Sequence, residues 1–113
     1  MNFEKMLTMR TDLLKLMDAE IKRSIKKHGP LKSAHEAYAV ILEEVEEADR
    51  EVWKVKASLE AFWTMVKGDA ISTLSLPCDI ERYALNAAAE YIQVAAVARK
   101  FVEQEKPKTD AHE

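Results

Sequence analysis

The chain has 113 residues, the size of one small domain, which leaves little room for a large core. It is 48% hydrophobic and 33% charged with only two glycines and three prolines, a profile that favours long helices over strands and turns. A net charge of −3 argues against binding to nucleic-acid polymers, which usually requires a basic face, and a single cysteine excludes an intrachain disulfide.

The first predicted helix covers residues 3–27. Apolar residues recur at helical spacing from Phe3 to Ile25, and basic residues gather in the last turns, where the helix dipole favours cations. Gly29 and Pro30 follow and are typical of a helix end. The pattern therefore predicts one amphipathic helix.

A second helix is predicted to start near residue 34. Ser33 and Glu36 have the spacing of a capping box, with Ser33 as the N-cap and Glu36 reaching back to it. The apolar pattern continues to Lys67, which fits either one very long helix or two helices with a bend near residues 57–58, and residues 68–69 supply the stop. One small monomer cannot cover a helix of that length, so the sequence predicts a homo-oligomer, either a dimer or a tetramer.

The third predicted helix runs from residue 80 to 104, after a linker over residues 68–78. Pro77 lies just before it, and Asp79 is its predicted N-cap. The predicted fold is all-α: a single domain over residues 1–104, built as a bundle of three to four helices and completed by oligomerisation. The tail, residues 105–113, has little apolar content and is predicted to be disordered.

Signals for membranes and export are missing from the sequence. No apolar run is long enough to span a bilayer, and the acidic amino-terminal segment is not typical of a transit peptide. Together with the lone Cys78, these features predict a cytoplasmic protein with no membrane partner.

Glu90 lies in an unusual position for a carboxylate. On a helical wheel of about 100° per residue, it falls in the middle of the apolar seam of the third helix, between Tyr83 and Val97. An unpaired charge facing a core is very costly, so something must compensate it. Two compensating partners stay open: a bound metal, or a Lys or Arg from another subunit.

The second helix carries a similar but weaker signal. Glu44 lies inside its apolar arc and Glu47 at the margin, whereas Glu43 and Glu46 point more toward solvent. No surplus of inward-facing Lys or Arg balances these carboxylates. Oxygen ligands from two facing helices suit a hard divalent cation, so the sequence predicts a site for Mg²⁺, with Mn²⁺ as a second option.

Residues 33–47 and 88–98 resemble MazG-like nucleotide pyrophosphohydrolases of the all-α NTP pyrophosphatase superfamily, in their small single-domain bacterial and phage form. The family pattern is Glu-Glu-x-x-Glu followed on a later helix by Glu-x-x-Asp. The likeness covers residues 25–102. It implies a Mg²⁺-dependent enzyme that hydrolyses NTPs or dNTPs to the monophosphate and pyrophosphate.

By position, the resemblance makes Glu44, Glu47 and Glu90 metal ligands, and Glu43 their partner or a water-positioning catalytic base. Gln93 departs from the family pattern, because it stands at the fourth ligand position, where the pattern has Asp. Its amide oxygen is able to coordinate a metal, but it is neutral and cannot serve as a base.

Three cations are predicted to contact the phosphates of a nucleoside triphosphate: Lys54, Arg99 and Lys100. A second function stays open beside the enzyme. The chain is alternatively a non-catalytic helical oligomer of the same fold that acts as a binding or regulatory protein, and Gln93 is the feature that favours this alternative.

Overall fold

Three long helices make up the part of the chain that the structure, a computed structural model, describes: residues 1–69 and 74–107. Helix α1 spans Phe3–His28, α2 spans Ala34–Lys67 and α3 spans Ser75–Glu105. These residues contain no strand, which confirms the predicted all-α helical bundle. Residues 70–73 of the predicted linker and 108–113 of the predicted tail lie outside the described residues.

Helix α1 has a well-defined cap at each end. The Asn2 side chain accepts a hydrogen bond of 2.8 Å from the Lys5 N–H. At the other end Gly29 has a φ of 71°, a conformation that costs glycine little, and its N–H donates to the Ile25 carbonyl. The predicted helix over residues 3–27 is therefore correct to within one residue.

At the start of α2, one of the two hydrogen bonds of the predicted capping box is present and the other has a different donor. The Ser33 hydroxyl accepts from the Glu36 N–H at 3.1 Å, which confirms Ser33 as the N-cap. The Glu36 carboxylate, however, accepts from the N–H of Lys32 and not from that of Ser33. From there one continuous helix runs to Lys67, which decides between the two readings that the sequence left open.

The predicted start of α3 is wrong by five residues. The helix begins at Ser75, so Pro77 lies inside its first turn. Proline is tolerated there because the first N–H groups of a helix have no acceptor within the helix. Asp79 is consequently not an N-cap, and its carboxylate accepts a hydrogen bond of 3.1 Å from Arg82, one turn later.

The chain divides into two compact units, and α2 and α3 contribute to both. Unit 2 comprises Leu42–Tyr91. In it the Lys54 ammonium lies 5.5 Å from the ring centre of Tyr83, and carboxylate oxygens of Glu47 and Glu90 lie within 4.8 Å of each other. The second contact lies seven residues earlier on α2 and seven later on α3, so the helices are antiparallel in this unit.

Unit 1 comprises Met1–Ile41 and the described part of Ile92–Glu113. Three polar contacts tie α3 to earlier parts of the chain in this unit, and their residue numbers rise together. In order they are Gln93 with Glu20, Lys100 with Ser24, and Gln104 with Leu31. The end of α1 and the end of α3 therefore run in the same direction.

The first half of α1 lacks buried side chains. Every side chain from residue 3 to residue 16 is exposed. This segment nevertheless carries large apolar side chains at helical spacing, among them Phe3, Met6, Leu7, Leu13 and Leu14. An amphipathic helix normally buries such a face.

Candidate metal centre

Three carboxylates predicted as metal ligands lie together in unit 2. Glu44 and Glu47 come from adjacent turns of α2, and Glu90 comes from α3. Each offers one oxygen, and these oxygens lie within 4.8 Å of one another. All three side chains are half-buried. We call these three residues the acidic cluster.

Small side chains allow the two helices to meet at this point. Ala48 follows Glu47 directly and has no exposed surface, and Ala87, one turn before Glu90, is 8% exposed. A side chain that ends at Cβ permits a close approach of two helix backbones. The carboxylates next to these alanines are thereby brought within reach of one another from opposite helices.

Burial and mutual repulsion disfavour the ionised form of carboxyl groups in the acidic cluster. Burial raises the pKa of Glu44, and the negative charges of Glu47, Glu90 and Glu43 raise it further. Burial is likewise the largest cause of the raised pKa of Glu90, followed by its hydrogen bond with the Glu47 carboxyl. A proton or a cation bound between the carboxylates relieves this repulsion.

Among the described residues, cationic side chains offset the negative charge of the cluster only in small part. Arg50 lowers the pKa of Glu90, but this is the weakest of the influences on that group, and Glu51 opposes it with a negative charge. The cluster therefore keeps an excess of negative charge within unit 2.

Glu51 is a fourth acidic side chain at the site that the sequence analysis did not assign to it. One of its carboxylate oxygens accepts from the Lys54 ammonium at 3.2 Å. The other oxygen, Oε2, is buried and has no hydrogen-bond partner among the described residues. The signal was present in the spacing, because Glu51 lies seven residues after Glu44 and four after Glu47, on the same helical stripe.

Glu43 and Glu46 both lie exposed on α2, as their wheel positions predict. Glu43 is close enough to Glu44 for its charge to raise the pKa of that carboxyl. A catalytic role for Glu43 stays a prediction, because its position is compatible with one and does not demand it.

Gln93 has a hydrogen-bond partner on α1. It belongs to unit 1, where its amide nitrogen donates a hydrogen bond of 2.8 Å to Glu20. Glu20 also forms an ion pair with Arg23 at 2.6 Å. This contact occupies the nitrogen end of the Gln93 amide, and metal ligation by its oxygen stays a prediction.

The three predicted phosphate contacts all have partners within the chain. Lys54 is bound to Glu51, and Arg99 forms an ion pair with Glu103 at 2.5 Å. Lys100 is buried, and its ammonium donates to the Ser24 hydroxyl at 2.9 Å. A phosphate must compete with these partners, so their role in substrate binding also stays a prediction.

The donor set of the cluster fits a hard divalent cation. All its ligand atoms are carboxylate oxygens, the type that Mg²⁺ and Mn²⁺ prefer, and no histidine or cysteine belongs to it. The buried, unpartnered Oε2 of Glu51 is a further oxygen without a proton donor. These observations favour Mg²⁺ or Mn²⁺ over zinc, which is usually held by Cys and His.

Comparisons of the chain with protein-family models, with curated proteins and with solved structures find no match. Within residues 1–69 and 74–107, no helix combines the length and the apolar character that crossing a membrane requires.

Proposed function

We propose that this chain is a Mg²⁺-dependent nucleoside triphosphate pyrophosphohydrolase that converts an NTP or dNTP to the monophosphate and pyrophosphate. One observation carries the proposal: Glu44, Glu47 and Glu90, from distant parts of the sequence, place their oxygens within 4.8 Å of one another. The resemblance of the two motifs to MazG-like enzymes supplies the reaction class, and it gives these same three residues the role of metal ligands.

The reaction hydrolyses the bond between the α- and β-phosphates. A water oxygen forms a bond to the α-phosphorus, the bridging bond to the β-phosphate breaks, and pyrophosphate leaves. Mg²⁺, or Mn²⁺ in its place, held by the acidic cluster, would supply positive charge to the phosphate oxygens and lower the pKa of bound water.

The residues of the chain contribute binding and orientation. Glu44, Glu47 and Glu90 would hold the cation, and without it their charge repels a polyphosphate. Glu43, an exposed neighbour of Glu44, would orient the attacking water and accept its proton. Because the pKa of Glu90 is raised, a cation held by its carboxylate would compete with a proton there.

The proposal includes a homo-oligomer, a dimer or a tetramer. Its support is the first half of α1, where apolar side chains from Phe3 to Leu14 are exposed. A second copy is the partner that the chain itself provides for such a face. Sedimentation velocity over a range of concentrations checks this, and a monomer at every concentration contradicts it.

The test is pyrophosphate release from a panel of NTPs and dNTPs with Mg²⁺, run on the parent, Glu90→Gln and Glu46→Gln. Both substitutions remove one carboxylate charge, but Glu46 is exposed and outside the cluster. We expect release by the parent and by Glu46→Gln, stopped by EDTA, and a loss of about 100-fold in Glu90→Gln, because a ligand is lost.

The second candidate, a non-catalytic helical oligomer, is favoured by the bond of Gln93 to Glu20. This contact gives the fourth position of the family motif a structural partner. If no nucleotide yields pyrophosphate, or if Glu90→Gln releases it as fast as the parent, the enzyme proposal fails. Mg²⁺ binding without turnover would then support the second candidate.

A further inference from the structure

The last turns of α2, in unit 2, carry an exposed apolar stripe. Leu59, Trp63 and Val66 lie at i, i+4 and i+7, so their side chains share one face of the helix. They are 56%, 58% and 43% exposed. We call these three residues the α2 stripe. An exposed tryptophan between two aliphatic side chains is typical of a surface that another protein covers.

Four exposed charged residues border the α2 stripe and alternate in sign along the chain: Lys56, Glu60, Lys67 and Asp69. None of them forms an ion pair with another described residue. On a helical wheel, the three that belong to α2 lie within about 60° on one side of Trp63, and the aliphatic members of the stripe lie on the other side. The Lys67 ammonium lies 5.6 Å from the centre of the Trp63 ring, so this charged flank adjoins the stripe.

The order of these charges is complementary to itself when the helix is reversed. Glu60 lies three residues before Trp63, and Lys67 lies four after it. In an antiparallel pair of α2 helices centred on Trp63, Glu60 therefore lies opposite Lys67 of the second copy. Lys56, seven residues before the centre, lies opposite Asp69, which is six after it. A parallel pair in register would instead bring like charges together.

The symmetry of such a pair allows both contacts to form. A two-fold axis between antiparallel helices keeps the same flank of each helix on the same side, so the charged flanks of the two copies meet. Each of the two ion pairs then occurs twice. A second copy of the chain carries the complementary order of charges by symmetry, which favours it over an unrelated protein as the partner.

We propose that the α2 stripe is a homodimer interface, in which the last turns of α2 from two copies pack antiparallel around a two-fold axis at Trp63. Contact between the apolar side chains supplies affinity, and the flanking ion pairs fix the orientation, as charged flanks do in coiled coils. This surface differs from the exposed face of α1 that supports the oligomer of the proposed function. The interface does not depend on the pyrophosphohydrolase activity.

The first test is sedimentation velocity of the full chain over a range of concentrations. We compare the parent with Glu60→Lys, with Lys67→Glu and with the double variant that carries both changes. The matched control is Glu46→Lys, which makes the same change of charge at an exposed position of α2 outside the stripe and its flank.

We expect each single variant to raise the dissociation constant of this contact about tenfold, because two like-charge contacts replace two ion pairs. The double variant reverses both charges and restores the ion pairs, so it should associate nearly as tightly as the parent. Glu46→Lys should associate like the parent.

The second test is a disulfide crosslink that reports the register. The only cysteine, Cys78, is exposed and is replaced by serine, and Trp63→Cys then places a thiol at the proposed two-fold axis. Mild oxidation should join two copies of this variant faster than two copies of Glu46→Cys in the same background, because the axis brings the two introduced thiols together.

The proposal fails if the parent is a monomer at every concentration, or if Glu60→Lys associates as tightly as the parent. It also fails if the double variant is no tighter than the single variants, or if Trp63→Cys crosslinks no faster than its control. Association that is lost in Leu7→Glu, on the α1 face, but unchanged in Glu60→Lys would refute this interface and leave the oligomer of the proposed function standing.

Discussion

The polar side chains of the two units are paired in opposite ways. In unit 1 two amide side chains of α3 have partners on other segments: Gln93 has Glu20, and Gln104 has the Leu31 main chain. In unit 2 three carboxylates face one another, and burial and mutual repulsion raise the pKa of two of them. Unit 1 uses polar contacts to join segments, whereas unit 2 concentrates charge of one sign.

This difference indicates which polar groups stabilise the fold and which are suited to bind a ligand. A hydrogen bond between neutral or oppositely charged partners stabilises the fold that contains it. Like charges at close range destabilise the fold unless a ligand joins them, so such a cluster is more typical of a site than of a structural contact. Lys100 is the exception in unit 1, because its buried charge has a hydroxyl as partner and no carboxylate among the described residues.

The largest effect is expected when two acids of the cluster are replaced. In Glu44→Gln/Glu47→Gln the affinity for Mg²⁺ should fall by about 100-fold or more, because two of three charged ligands are gone. Without metal the same variant should be more stable than the parent, since repulsion is relieved. Calorimetric titration with Mg²⁺ and urea unfolding in EDTA measure the two effects.

The matched control for this variant is Glu46→Gln/Asp49→Asn. It removes the same charge from exposed positions of the same helix. If both double variants change Mg²⁺ affinity equally, the cation responds to net charge and the cluster is not a site.

An intermediate effect is expected from Gln104→Ala in unit 1. The Gln104 amide accepts from the Leu31 N–H at 2.9 Å and donates to the Leu31 carbonyl at 2.6 Å. Because the substitution leaves two main-chain groups of a buried residue without partners, it should lower the free energy of unfolding by about 1–3 kcal/mol. Urea unfolding measures it, with Lys106→Ala as the control at an exposed position. Equal stability of the two variants would mean that water replaces the amide.

The smallest effect is a pH dependence of unit 2. The folded-state pKa values of Glu44 and Glu90 are raised above their ordinary value of 4.5, so the folded chain binds more protons than the unfolded chain between the two values. Their contribution to the free energy of unfolding should therefore rise as the pH falls through the raised pKa, and level off below 4.5.

Urea unfolding in EDTA between pH 7 and pH 5 tests this sign, with Glu44→Gln/Glu90→Gln as the reference that lacks both groups. With saturating Mg²⁺ the trend should reverse, because protons compete with the cation. A metal-free parent that follows the reference at every pH would contradict the raised pKa values.

Local evidence in the sequence predicted part of the cluster, and the resemblance to the family motifs supplied the rest. Apolar periodicity located Glu44 and Glu90 on predicted apolar seams, the family motifs added Glu47, and caps located the carboxyl end of α1 and the start of α2. The start of α3 was mispredicted because Pro77 and Asp79 are individually typical of a helix boundary, whereas the first turn accommodates Pro77 and the second turn accommodates Asp79.

Other contacts between distant segments could not be predicted from the sequence. Lys100 follows an alanine-rich stretch and has the pattern of a surface residue, and no spacing rule indicates that Ser24 lies opposite it. Glu51 was not assigned to the site for a similar reason. Its spacing placed it on the stripe, but only the packing of α2 against α3 in unit 2 buries its Oε2.

The fully buried Ala48 limits which substitutions the chain tolerates at this position. In a saturation library selected for Mg²⁺ binding, this position should accept alanine, glycine and serine and reject larger side chains, because extra atoms would push the helices apart and separate the carboxylates. The exposed neighbour Asp49 should accept almost any residue. A residue that does not bind the cation thus restricts the cation site together with those that do.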